Sequence, residues 1–208
     1  MKVILASNSP RRKEILENLG MVFEVFAPET DEKSEACAPD ALVRELALRK
    51  ANASRGAYFK KTGENPADNE CLTFISADTV VFSKESGIFG KPKNAEDAKR
   101  MLRALSGCEH TVYTGVCVAN GKKLAVGCEA TKVFFADMTP SDIDFYVSSG
   151  EANGKAGAYA IQGLASIWIK KIEGCYFNVM GLPVRRLYET AKEAGVDLPA
   201  LCKKYSGL

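Results

Sequence analysis

The sequence holds a single histidine, His110, and its seven cysteines (Cys37, Cys71, Cys108, Cys117, Cys128, Cys175, Cys202) never fall in a Cys-x-x-Cys spacing. A zinc site of the usual kind needs clustered Cys and His ligands, so zinc chemistry is excluded. An odd number of scattered thiols also speaks against a disulfide framework and for a reducing cytosol. Long apolar runs are missing: Val3 to Ala6 is too short for a signal-peptide core, and nothing approaches the ~18 residues of a membrane span. Neither sign of charge dominates, with Lys and Arg at 28 against Asp and Glu at 26. Any attraction for a polyanion must then come from local clustering, which disfavours a general nucleic-acid coat. Repeats, low-complexity tracts and linkers are also absent. The expectation is a soluble, untargeted, cytoplasmic protein.

What is present is a chain of 208 residues with 46% hydrophobic residues, enough for one large domain with a real core, or for two lobes sharing a sheet. A short strand over Lys2–Ala6 leads through Ser7-Asn8-Ser9-Pro10 into a helix to Leu19. Ser9 suits its N-cap, Pro10 its first position, and Gly20 its left-handed stop. A second strand covers Val22–Ala27. A helix then runs from Pro39 to Arg55 and stops at Gly56, with a surface loop over Tyr58–Glu70. Leu72–Phe82 reads as strand broken at its centre by Ala77-Asp78-Thr79. Ser86-Gly87 turns into Ile88–Pro92, and Asn94 caps a helix to Leu105. Strands over 111–119 and 122–135 are joined at Asn120-Gly121, a strong two-residue hairpin signal. A helix from Thr139 to Ser148, a glycine-rich stretch over Gly150–Gly163, a strand over Ser166–Ile172 and a helix over Pro183–Ala194 complete the chain. Mixed strands and helices with two hairpins predict an α/β fold with a long mixed sheet flanked by helices.

Arg11 and Arg12 stand in the first turn of a helix, where the macrodipole is already positive and each misplaced cation costs on the order of 0.3–1 kcal/mol. Something negative should offset this. A strand end, the serines Ser7 and Ser9, helical N–H groups and two guanidinium forks together form a phosphate cradle. The plainer reading is a solvated basic helix end. Lys50 falls in the middle of an apolar face made by Leu42, Val43, Leu46, Ala47 and Ala53, so it either snorkels or meets an anion. Asp78 interrupts a run of strand formers and needs a cation partner, for which magnesium, an arginine or a lysine would serve. There it could hold a metal or deprotonate water; capping a turn is the structural alternative. Asp31-Glu32 is its natural acidic companion, although an acidic pair in a loop is often simply solvated. Gly90-Lys91-Pro92 is no P-loop, because Glu85 and Pro92 occupy the positions of its first Gly and its Ser or Thr. Lys91 could still neutralise a phosphate. With no Gly-x-Ser-x-Gly elbow, His110 is assigned a structural role.

Six segments, Ser7-Asn8-Ser9-Pro10-Arg11-Arg12, Ser76-Ala77-Asp78-Thr79-Val80, Gly90-Lys91-Pro92, Leu105-Ser106-Gly107, the run Lys155–Gly163 and the run Asn178–Pro183, together resemble the Maf family of nucleoside triphosphate pyrophosphatases. The resemblance spans nearly the whole chain, residues 1–208 as a single such domain. It implies an elongated α/β fold related to the inosine triphosphatases, two lobes around a cleft, and a divalent metal, magnesium or manganese, as cofactor. By motif, Asp78 looks like the family's proton acceptor and metal partner, joined by Asp31 or Glu32, a choice the sequence leaves open. Arg11, Arg12, Lys50 and Lys91 look like its phosphate-holding cations. Arg11, Thr79 and Gln162 match the branch acting on dTTP and UTP, whereas the 7-methyl-GTP branch carries Trp, Gln and Glu at those places. Modified pyrimidine triphosphates belong to the same expectation, and a homodimer is a family expectation. The rivals are the 7-methyl-GTP activity, a nucleotide-sensing regulator of cell division without catalysis, and a DNA-binding arm built on Ser-Pro-Arg-Arg. The last conflicts with the near-neutral charge.

Overall fold

The structure is a computed structural model and describes residues 1–202. Its elements are β1 (Lys2–Leu5), α1 (Pro10–Asn18), β2 (Glu24–Val25), α2 (Pro39–Thr62), β3 (Leu72–Ser83), β4 (Gly87–Phe89), α3 (Ala95–Leu105), β5 (Glu109–Asn120), β6 (Lys123–Phe135), α4 (Pro140–Ser148), β7 (Ile169–Glu173), α5 (Tyr176–Met180), α6 (Val184–Glu193) and α7 (Leu198–Leu201). The seven strands share one open sheet in the order β2-β1-β3-β5-β6-β7, with β4 paired to β3 off that path. β1 runs parallel to β2 and β3, Leu5 standing opposite Val25 and Ile75. β4 and β7 run antiparallel to β3 and β6. The sheet is therefore mixed and the fold α/β, as the hairpins in the sequence predict. Among the described residues no helix is long and apolar enough to cross a membrane.

Two compact units divide the chain. The first comprises Met1–Asp78, Thr114–Cys128 and, among the described residues, 181–202. Its core joins Ile4, Leu72 and Phe74 to Tyr58 and Ala119, with Phe26 alongside, and a second cluster brings together Ala47, Ala51 and Cys117. Small side chains let α2 lie close on the sheet. At Gly115 of β5 an added Cβ would stand 2.1 Å from the Val43 carbonyl oxygen, so the helix backbone occupies the space a side chain would need. The second unit comprises Thr79–Tyr113 and Glu129–Met180. Leu102 and Leu105 of α3, Val112, Phe135, Tyr146 of α4 and Trp168 form its core.

Four local expectations need correction, each for a physical reason. α2 does not stop at Gly56 but continues to Thr62, ending at Gly63 with φ 74°. A helical glycine costs about 1 kcal/mol, and burying Tyr58 two residues later recovers more, ~1.5–3 kcal/mol for a large apolar side chain. β3 passes unbroken through Ala77-Asp78-Thr79, because the aspartate finds a cation there. The hairpin between β5 and β6 turns one residue later than expected, at Gly121-Lys122. Asn120 stays in the strand because its amide donates to the Glu70 carbonyl (2.8 Å) and to Thr73 Oγ1 (2.8 Å). Finally, Leu164–Trp168 forms a 3₁₀ helix ahead of β7, its three-residue period burying Ala165 and Trp168 on one side.

Candidate functional site

The start of α1 is built without a side-chain cap and without an acidic residue in its first turn. Ser9, the expected N-cap, makes no capping bond. Its own N–H instead donates to Ser7 Oγ at 3.3 Å. Ser7 is buried, and the same oxygen accepts from Arg12 Nη1 at 3.0 Å, while Arg12 Nε donates to the Gly181 carbonyl at 2.7 Å. Arg12 is thus a buried guanidinium held from two sides, its rotamer set before any ligand arrives. Arg11, its neighbour, is half-buried. The serines and arginines are legible in the sequence, but the N-cap expected of Ser9 does not form, and Ser7, three residues before the helix, instead accepts from the Ser9 N–H and from Arg12, an arrangement that residue type does not announce.

A second group is assembled by α2 and β3. Ser76 Oγ donates to the Ala47 carbonyl at 2.6 Å, pinning the strand to the helix. Two residues on along β3, on the same face, comes Asp78; one turn on along α2 comes Lys50. That register brings the Lys50 ammonium onto Asp78 Oδ1 as both hydrogen bond and ion pair. Glu32 closes on the same ammonium at 2.7 Å. The Lys50 and Asp78 side chains are only 17% and 12% exposed, against 52% for Glu32. The lysine in the apolar face therefore meets an anion rather than snorkelling. Of the acidic pair, Glu32 is the one brought to Lys50. Asp31 turns back on its own loop, its carboxylate accepting from Lys33 N–H at 3.0 Å and its carbonyl from Arg49 Nη1 at 2.7 Å. Ser76 and Gly115, which set the register of α2, were missed in the sequence. A serine at two-residue spacing from a buried aspartate and a glycine inside a strand are the signals that could have found them.

The two groups feel each other electrostatically. Burial pulls the Arg12 guanidinium down to about 10, Asp78 and Glu32 oppose that fall, and Arg11 adds to it. Arg12 remains charged at neutral pH. Arg11, Arg12 and Lys50 against Glu32 and Asp78 leave one positive charge in excess, and burial strengthens the interactions among Arg12, Lys50 and Asp78 most. No group of three His, Cys, Asp or Glu able to hold a metal exists among the described residues. Asp78 and Glu32 nevertheless form a two-carboxylate seat that already holds a cation, the Lys50 ammonium. Such a seat fits magnesium, which is commonly bound through one or two carboxylates, with waters and substrate phosphates completing its shell.

The remaining candidates lie in the second unit. Thr79, directly after Asp78, is half-buried, and Lys91 is exposed just beyond β4. The Gly90 carbonyl accepts from Gly157 N–H at 3.1 Å, tying the Lys91 loop to the glycine-rich stretch. Gly157 has φ 68°, and a Cβ there would approach Val81 Cγ2 to 2.8 Å. Gln162 is exposed on the same stretch. His110 takes no part: it is 2% exposed, its Nε2 lies 2.9 Å from Tyr159 Oη, and it packs edge-on against Phe135 and Tyr159.

Residues 2–194 match the family described as Maf-like protein. The chain is 43% identical over 198 residues to the dTTP/UTP pyrophosphatase of Bacillus cereus (strain G9842), covering 95% of this chain and 97% of that protein. It is 44% identical over 198 residues to the dTTP/UTP pyrophosphatase of Bacillus anthracis, with the same coverage. The dTTP/UTP pyrophosphatase of Pelotomaculum thermopropionicum is 43% identical over 200 residues, covering 95% of this chain and 98% of its own length.

Proposed function

The chain belongs to the Maf family, and from that premise we propose that it hydrolyses dTTP and UTP to the nucleoside monophosphate and pyrophosphate, the activity named for its relatives. The observation that carries this reading is the Lys50 ammonium bridging Asp78 and Glu32, in the electrostatic field of Arg12. Incoming phosphate oxygens compete with Asp78 for Lys50. As the ammonium transfers to phosphate, the Asp78 carboxylate gains a free oxygen at the strand position where a proton must be accepted. Asp78 then takes the proton of the attacking water, the new P–O bond forms at the α-phosphorus, and the α,β-bridging bond breaks with its electron pair leaving on pyrophosphate. Arg12, fixed by Ser7 and the Gly181 carbonyl, presents a guanidinium that needs no reorganisation as charge develops. Arg11, the N–H groups at the start of α1 and Lys91 add donors for phosphate oxygens.

A divalent cation, magnesium or manganese, completes the reading: Asp78 and Glu32 would hold it, and it would supply Lewis-acid polarisation of phosphate and water. Gln162 reads the base, since a side-chain amide offers both donor and acceptor to the O4 and N3–H edge of uracil or thymine. Pyrimidine triphosphates modified away from that edge then fall within its range. A cytoplasmic setting, where such nucleotides are, agrees with seven free cysteines.

The test is Asp78→Asn, which keeps shape and removes the base. Turnover of UTP should fall by roughly a hundredfold or more, with triphosphate binding retained, and wild-type product should be pyrophosphate, seen as phosphate only after pyrophosphatase is added. Stepwise release of single phosphates would refute the reaction. A variant that keeps more than about a tenth of wild-type kcat would make Asp78 structural and favour a non-catalytic nucleotide sensor.

A further inference from the structure

Between α4 and the 3₁₀ turn at Leu164 lies a hydrogen-bonded clamp that the proposed reaction does not use. Tyr146 Oη donates to Glu151 Oε1 at 2.9 Å and accepts from Ala160 N–H at 3.2 Å. The other carboxylate oxygen, Oε2, accepts from Leu164 N–H at 3.0 Å. Gly163 N–H donates to the Ala160 carbonyl at 3.2 Å, closing a turn over residues 160–163. Within this turn Ala160 and Ile161 are buried at 6% and 7% exposure, and Gln162 alone is fully turned out. At Gly163 an added Cβ would meet Glu151 Oε2 at 2.2 Å, so the carboxylate lies directly against the turn's backbone and only glycine admits it there.

We infer that Glu151, through Tyr146, is a positioning residue for Gln162 and thereby for recognition of the pyrimidine base. The inference rests on the reading of Gln162 as the base-reading residue. Its chemistry depends on a carboxylate. Two donors, an O–H and an N–H, arrive at two separate oxygens, and the two amides so held lie two residues before and two after Gln162. A glutamine at 151 offers one acceptor oxygen and presents its own N–H₂ to whichever donor remains, so one side of the clamp must open. Tyr146 is completely buried and its ring stands edge-on to Trp168 at 6.0 Å. The clamp is therefore anchored in the core of its unit, as a recognition loop requires if the reading side chain is to be held rather than merely tethered.

The experiment compares Glu151→Gln, Gln162→Ala and the double variant on UTP, dTTP and, as a base-free probe, inorganic tripolyphosphate as a competitive inhibitor. Glu151→Gln should raise KM for UTP and dTTP by about tenfold, more than it lowers kcat, with the inhibition constant of tripolyphosphate unmoved. In the Gln162→Ala background it should add nothing, since two residues acting in series are not additive. Hydrogen exchange should show loss of protection at the Leu164 amide in Glu151→Gln and at the Ala160 amide in Tyr146→Phe. Tyr146→Phe keeps the ring against Trp168 and serves as the second variant if Glu151→Gln folds poorly; it should raise KM in the same selective way. If Gln162→Ala itself leaves KM for UTP unchanged, the base reading fails. If Gln162→Ala raises KM while Glu151→Gln and Tyr146→Phe do not, or if the Glu151 effect persists undiminished in the double variant, the positioning role is overturned and the base reading stands.

Discussion

A lysine in the apolar face of a helix poses a question that residue type alone leaves open, because a four-carbon stem can reach water or an anion equally well. At Lys50 the answer comes from residues 18 and 28 positions away, Glu32 and Asp78, and no local pattern encodes that meeting. For the same reason the choice between Asp31 and Glu32 was not legible: adjacent acids in a loop differ only in which way the backbone turns them. Asp78 itself was legible, since an aspartate inside a run of strand formers demands a partner. Removing that partner has a measurable consequence. Lys50→Met should leave a mostly buried carboxylate unpaired and lower stability by about 1–3 kcal/mol, read by urea denaturation. Asp78→Asn in the same background should recover part of the loss, because the double variant has no unpaired buried charge. Strict additivity of the two single effects would show that the pair does not interact in the native state.

Helix α2 carries this chemistry because of how it is seated, and its two glycine contacts make opposite predictions. Gly56 lies on the exposed side of α2, and a Cβ there would meet nothing within 4 Å. Gly56→Ala should therefore stabilise the protein by about 0.5–1 kcal/mol through helix propensity and a less flexible unfolded chain. Gly115→Ala places a methyl 2.1 Å from the Val43 carbonyl oxygen, forces α2 off the sheet and should cost about 1–3 kcal/mol or more. It should also raise KM for UTP, since the displacement moves Lys50. Equal midpoints for both variants in thermal unfolding would contradict this seating of the helix. The sequence reading ended α2 at Gly56 because glycine is the usual stop. It could not see that two buried residues flank that glycine, Ser54 before it, with Oγ donating to the Phe26 carbonyl at 2.6 Å, and Tyr58 after it. Asn120 was likewise read as a turn residue for its type, while the structure spends its amide on Glu70 and Thr73. Element type followed from periodicity; element ends followed from tertiary partners that periodicity does not contain.

For the whole molecule, the α/β class and mixed sheet were legible because alternating strands and helices with hairpins admit few other arrangements, whereas the partners that its buried polar groups meet were not. His110 is the one with consequences for every residue at once. It sits at 2% exposure between Phe135 and Tyr159, its Nε2 shared with the Tyr159 hydroxyl and its Nδ1 buried without a partner. Burial pushes the imidazole down from 6.5 to about 4, and the same burial raises the Tyr159 phenol. The sign follows directly. Above pH 6.5 the histidine is neutral in both folded and unfolded chains and adds no pH dependence. Below it the unfolded chain binds a proton that the folded chain refuses, so stability falls by about 1.4 kcal/mol for each pH unit until the folded value near 4 is reached. The loss over that window is about 3 kcal/mol, a large part of the ~5–15 kcal/mol available to a typical domain. His110→Gln keeps a hydrogen-bonding amide for the Tyr159 hydroxyl but cannot titrate. Its urea midpoint should be nearly flat from pH 6.5 to 4.5 apart from the carboxylate contribution both proteins share, while the wild-type midpoint falls steadily. Parallel curves for the two proteins would mean that His110 takes up its proton without leaving the core, and that the aromatic pocket around it opens to water at no cost to the fold.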